Sequence, residues 1–296
     1  MGGCLTAPLQ SKKNRQHNVA HSERLTRSNN SPNVKVDCDI TAYAWLEHDS
    51  VGLLATSHVQ SFALFHNSVV RPSLAALDQE LQALRSSDDP SSVFLEDDYV
   101  ELFQKTLEGF LLATQSMWER GLRQLLTDRD KKLRDGANAR ALQNARWSAP
   151  HDCLQTHFED LFGLPLTAFD TYSDLDLLQS LANAIRHGDG ASSQKVYRAC
   201  PGLWLNWLQP CSVIEGGPFT IRVPPDAPAF PPFDSITLPE ALLEQMIQSV
   251  VWFWDDIEHM RCNSFRRKHP TVEQKIERWR GQRRQRLADR HWTPSV

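Results

Sequence analysis

The sequence predicts a mainly α fold: a helical bundle with a short β segment, a proline-rich loop and basic or disordered tails. Three observations carry that reading. Leu95, Tyr99, Leu102, Phe103, Leu107, Phe110, Leu111, Trp118, Leu122 and Leu125 recur at steps of three and four, the period of one amphipathic helix. Leu243, Met246, Val250, Trp254 and Ile257 form a second such stripe, widened by Leu242, Ile247, Val251 and Phe253 into a face broad enough for a bundle core. Only residues 219–223 alternate convincingly as a strand. At 41% hydrophobic and 23% charged, the composition is globular and excludes a collagen-like, wholly disordered or disulfide-stapled chain.

Residues 1–36 are rich in Ser, Asn, Lys and Arg, bury too little apolar surface to offset ordering entropy, and read as a disordered basic arm. Met1-Gly2-Gly3-Cys4-Leu5-Thr6 fits an N-myristoylation pattern, with Cys4 open to palmitate and Lys12, Lys13 and Arg15 nearby for anionic lipid. An incidental match is the favoured reading of so short a signal. From about residue 40 the pattern turns helical. Residues 58–70 are amphipathic until Pro72 breaks the run, 74–84 resume it, and Asp88-Asp89-Pro90-Ser91-Ser92 is a turn. The helix through Leu95 to Leu125 contains Gly109 and Gly121, each expected to mark close packing or a bend.

Residues 127–150 read as a charged surface connection containing one further helix, and a short helix from Cys153 stops at Gly163. Ser173, followed by Asp174 and Asp176, is placed to N-cap the next helix, whose stripe of Leu175, Leu178, Leu181 and Ile185 is closed by Gly188. Pro224, Pro225, Pro228, Pro231 and Pro232 enforce an extended loop. Thr237 and Glu240 have capping-box spacing before the last core helix. The simplest division is a helical-bundle domain over 40–262, followed by a basic tail or helix over 263–296.

Charge is segregated. Residues 1–35 carry six Lys/Arg against one acid and residues 261–296 eleven against three, so the intervening body is strongly acidic. Basic tails on an acidic body seek phosphates or fold back onto their own body. Six scattered cysteines without a C-x-x-C pair suit a reducing cytoplasm, and apolar runs as short as residues 250–254 make a membrane partner unexpected. His151, Cys153 and His157, or Asp255, His259 and Cys262, are spaced to contribute metal ligands, but neither set has a paired-cysteine knuckle, so no metal or cofactor is expected. No phosphate-binding glycine loop or nucleophile elbow is present.

The most informative segment is Leu181-Ala182-Asn183-Ala184-Ile185-Arg186-His187-Gly188-Asp189-Gly190. Asn183 and His187, four residues apart, share a helix face and can address one ligand. The helix C-terminus favours a protonated imidazole, suited to proton transfer at a sugar hydroxyl or leaving oxygen. The alternative is purely structural: His187 caps the last carbonyls and Asn183 bonds a neighbouring helix. In the tail, Arg266, Arg267, Lys268, Arg278, Arg283 and Arg284 surround Trp279, an arrangement that suits single-stranded RNA through guanidinium–phosphate contacts and base stacking. A solvated helix docked through Val272, Ile276 and Leu287 explains the same residues.

The segment from Asn183 to Gly190, with the preceding long helix around Trp118 to Leu126, resembles HEPN domains, helical bundles that include RNA-cleaving toxins and phage-defence effectors. The resemblance covers roughly residues 95–190. It implies a metal-independent ribonuclease, commonly a homodimer, acting on RNA, with an antitoxin or defence-system partner. His187 would be the general acid or base, Asn183 its orienting residue, and Arg186 the phosphate contact. The family's R-x(4–6)-H arginine would fall at Ser180, Leu181 or Ala182, none of them basic, so Arg120 or Arg123 would have to substitute where Arg186 cannot reach. A non-catalytic module that binds nucleic acid or a protein partner is the alternative. Arg146 and His151 also match that spacing, but Pro150 interrupts the helix the motif requires.

Overall fold

Gly121 marks the point where three helices of the bundle converge. In the computed structural model, which describes residues 39–44, 51–216 and 219–294, it lies in α3 (Ser92–Arg134) beneath His58 of α1 (Val51–Phe65) and Trp254 of α8 (Glu240–Asn263). A Cβ at Gly121 would approach both rings to 2.8 Å, so only a missing side chain allows the approach. Gly109 has nothing within 4 Å and does not share this role. The arm over residues 1–36 and its acylation pattern lie outside the described residues.

The structure is mainly helical. Pro72 does not break the first helical run. Residues His66–Val70 widen into a π-helical turn that leads directly into α2 (Arg71–Arg85), placing Pro72 where its missing N–H and bulky ring are tolerated. α3 spans 43 residues, longer than its apolar stripe alone indicates. Its charged last turns are held because Asp130, fully buried, accepts from the backbone N–H and side-chain amide of Asn138. The helix therefore runs on into what reads in the sequence as a surface connection, and ends at Asp135, φ 52°.

α4 (Ala139–Asn144) and α5 (Leu154–Phe162) follow, the latter closed by Gly163 at φ 74°. α6 (Tyr172–His187) starts one residue before Ser173, so that serine does not N-cap it; Asp174 instead accepts from Gln245 and Ser249 of α8. α7 (Ala191–Ala199) precedes an antiparallel hairpin of β1 (Val213–Gly216) and β2 (Phe219–Arg222). No capping box forms at Thr237, because α8 begins only at Glu240. The Gln104 side chain holds the backbone of Leu238 through two hydrogen bonds instead.

The core lies where α1, α3, α6 and α8 meet, around Trp118, Phe158, Phe169 and Phe253. Burial of α6 through Leu178, Leu181, Ala182 and Ala184 ends at its last turn, and each fully buried leucine contributes about 1.5–3 kcal/mol. That last turn emerges at the surface carrying His187.

α9 (Pro270–Gln285) is not a free tail. The described residues form one compact unit, and α9 lies on α8 with Ile276 and Trp279 buried. Leu287 does not dock; it is 82% exposed.

Candidate functional site

The C-terminal turn of α6 is shaped by Gly188, whose φ of 69° with ψ −138° is open to glycine alone. Beyond it the Asp189 carboxylate accepts from the Phe233 N–H at 2.6 Å and ties the proline-rich loop to the turn. On this rigid end, His187 is exposed and Asn183, one turn earlier, is half-buried. Neither side chain has a hydrogen-bond or ion-pair partner among the described residues, so the capping and interhelical roles open to them in the sequence are not used.

Several polar side chains earlier on the same helix are engaged. Asp176 accepts from Trp147 Nε1 and Lys195 Nζ, Ser180 donates to the Asp176 carbonyl, and Gln179 accepts from Gln115 of α3. Arg186 turns away from His187 onto α3, donating to Gln115 Oε1 at 2.6 Å and Ser116 Oγ at 3.3 Å.

From Gln115 a row of contacts follows one face of α3 at i, i+4 spacing. Gln115 donates to Glu119, which also accepts from Arg123. The Arg123 guanidinium reaches the carbonyls of Leu142, Gln143 and Ala145 and so caps the C-terminus of α4. Arg123 is thus committed to structure. Arg120, on the same face as Ser116 and one turn away, is exposed and has no partner among the described residues.

The basic residues of the C-terminal segment divide into two sets. Trp279 is not available for stacking on a base: its ring lies flat on His259, centroids 3.5 Å apart, and its Nε1 donates to Asp256. Arg283 is likewise spent on Asp256 and Asp170, beside Arg286, which makes bonds to the same two carboxylates. Arg290 pairs with Asp174, and Lys275 with Glu258. Lys268 donates to the Phe265 carbonyl. Arg266, Arg267, Arg278 and Arg284 remain exposed and without partners among the described residues.

The two histidine–cysteine sets do other work. Cys153 N-caps α5, His157 Nε2 lies 2.8 Å from Asp152, His259 stacks on Trp279, and Cys262 donates to Glu258. Among the described residues no three metal-ligating side chains converge. Sequence reasoning missed the Asp256 cluster. Its signal was the spacing of Trp279, Arg283 and Arg286, one face of one helix, which needs the buried acid opposite to be interpretable.

No family model matches the chain, and neither a curated protein nor a solved structure is significantly similar to it.

Proposed function

We propose that the chain is a HEPN-like helical-bundle protein that acts on RNA in the cytoplasm, cleaving it without a metal at the end of α6. The observation that carries this reading is the pair Asn183 and His187, on one helix face, reaching solvent without partners among the described residues while Asp176, Ser180 and Arg186 of the same helix are engaged. Polar groups without protein partners on a rigid core helix are open to a ligand. His187 takes the proton of a ribose 2′-hydroxyl as its oxygen attacks the adjacent phosphorus. The bond from phosphorus to the 5′-oxygen breaks, and that oxygen leaves with a proton from water, giving a 2′,3′-cyclic phosphate and a 5′-hydroxyl. Asn183 orients the ribose or the imidazole.

With Arg186 and Arg123 engaged elsewhere, and Arg120 lying along α3 toward the start of α6, the guanidinium for the developing phosphate charge comes from a second copy of the chain in a homodimer. A toxin or phage-defence role, with its antitoxin or defence-system partner, belongs to the same reading. Purified protein should cut single-stranded RNA in the presence of a chelator. His187→Ala should reduce the rate at least a hundredfold, the range general acid–base groups supply, with an unchanged melting temperature because the ring is exposed and unpaired. Equal rates for the two proteins would remove the catalytic assignment.

A second reading, a binding module that does not cleave, is favoured by the absence of a cation at Ser180, Leu181 or Ala182 and by the commitment of Arg186 to α3. It predicts RNA retained intact on the wild-type protein and lost on Asn183→Ala/His187→Ala.

A further inference from the structure

At the far end of the α3 row, about 12 Å along the helix from Gln115 to Arg123 at 1.5 Å per residue, a cleft of about 580 Å³ opens beside the C-terminus of α4. Arg140, Asn144, Arg146, His151 and Asp152 line it together with three alanines. The size falls within the range of small-molecule sites, and the alanine walls leave its interior free.

Two unpartnered cations meet at this cleft. In a body with far more acids than bases, Arg140 and Arg146 are exposed with no carboxylate or other partner among the described residues. His151 is exposed and unpartnered as well. Two features limit the negative charge beside them. The last carbonyls of α4, which would otherwise give this end a negative potential, are occupied by Arg123. Asp152, the one carboxylate of the lining, is held at a left-handed φ of 54° with an oxygen 2.8 Å from His157 Nε2 of α5. Pro150 keeps Arg146 and His151 off a common helix, yet the loop folds both onto one cavity.

We propose that this cleft binds the phosphate of a nucleotide-sized ligand. Arg140 and Arg146 supply guanidinium forks, the geometry that grips phosphate oxygens in pairs. His151 adds a third donor. Asn144, whose amide nitrogen is bonded to the Arg140 carbonyl, keeps its amide oxygen for the rest of the ligand. The site is separate from the α6 end and does not depend on the cleavage reading. The phosphate belongs either to a free mononucleotide or to a nucleotide within a strand.

The test uses the full chain in a chelator, titrated calorimetrically with adenosine monophosphate and, separately, with a 2′-O-methyl decanucleotide, which cannot be cut through its ribose. Arg140→Ala/Arg146→Ala should weaken binding at least tenfold. Lys131→Ala/Arg222→Ala, which removes two exposed charges elsewhere, should leave it within twofold. Monophosphate binding displaced by inorganic phosphate identifies a free ligand; binding of the decanucleotide alone, lost in the cleft variant, identifies a strand. Absence of binding by either probe, an undiminished affinity in the cleft variant, or equal weakening by both double variants would overturn the proposal. Because no cleavage is read, failure here is distinct from failure at His187.

Discussion

His259 lies flat on Trp279, and burial pushes its pKa down to about 4 from 6.5, so the folded protein holds it neutral, with Nε2 donating to the Thr41 carbonyl. The unfolded chain takes up this proton below about 6.5 and the folded one only near 4. The stability His259 contributes is therefore complete above 6.5 and lost as pH falls from 6.5 to 4. Asp255 works in the opposite sense: burial raises it to about 6, so the folded state gains stability between 6 and 3.8. His259→Gln removes the first effect and keeps the second. Denaturant midpoints should show the variant gaining on the wild type steadily from pH 6.5 to 4, and a constant difference would contradict the assignment. At this scale the α6 end was legible, because Asn183 and His187 four apart is a one-helix pattern. The Trp279–His259 stack was not, since its partners lie on two helices joined by a turn whose path no local period specifies.

Two glycines of α3 separate intrinsic helix preference from packing. Gly109 is exposed with nothing near its Cβ position, so Gly109→Ala should stabilise the protein by up to ~1 kcal/mol. Gly121→Ala gains the same propensity but drives a methyl into the rings of His58 and Trp254, and should cost about 1–3 kcal/mol net. Thermal melts of the pair check both signs. The sequence offered one explanation for both glycines because the neighbours of a helix face come from other elements. The helices themselves were read from periodicity, as in α8 and the stripe of α3. What escaped were ends and joins: the π-helical turn before Pro72, the charged last turns of α3, the strand pairing with β2, and the start of α8. Each depends on a single side chain or partner strand that composition does not reveal.

Among the described residues, the basic C-terminal side of the charge segregation is largely explained inside the chain. Asp256, with no exposed surface, accepts from Trp279, Arg283 and Arg286, while Asp174 and Glu258 hold Arg290 and Lys275. The C-terminal basic segment is thus largely a clamp onto the acidic body. Arg286→Ala leaves the buried Asp256 carboxylate with Trp279 and Arg283 alone and should destabilise the fold by about 1–3 kcal/mol, read as a lowered denaturant midpoint. Because the pair is buried, high salt should screen the loss little. The sequence could pose the choice between external phosphate and internal acid but not decide it, since charge counts carry no information on where a helix docks.

The cleaving contact with RNA in this account belongs to the α6 end. Amide hydrogen exchange across the full chain, measured with and without a 2′-O-methyl RNA, tests that directly. Slowed exchange centred on residues 183–190 is the predicted result; slowing confined to residues 263–294, with 183–190 unchanged, would contradict it.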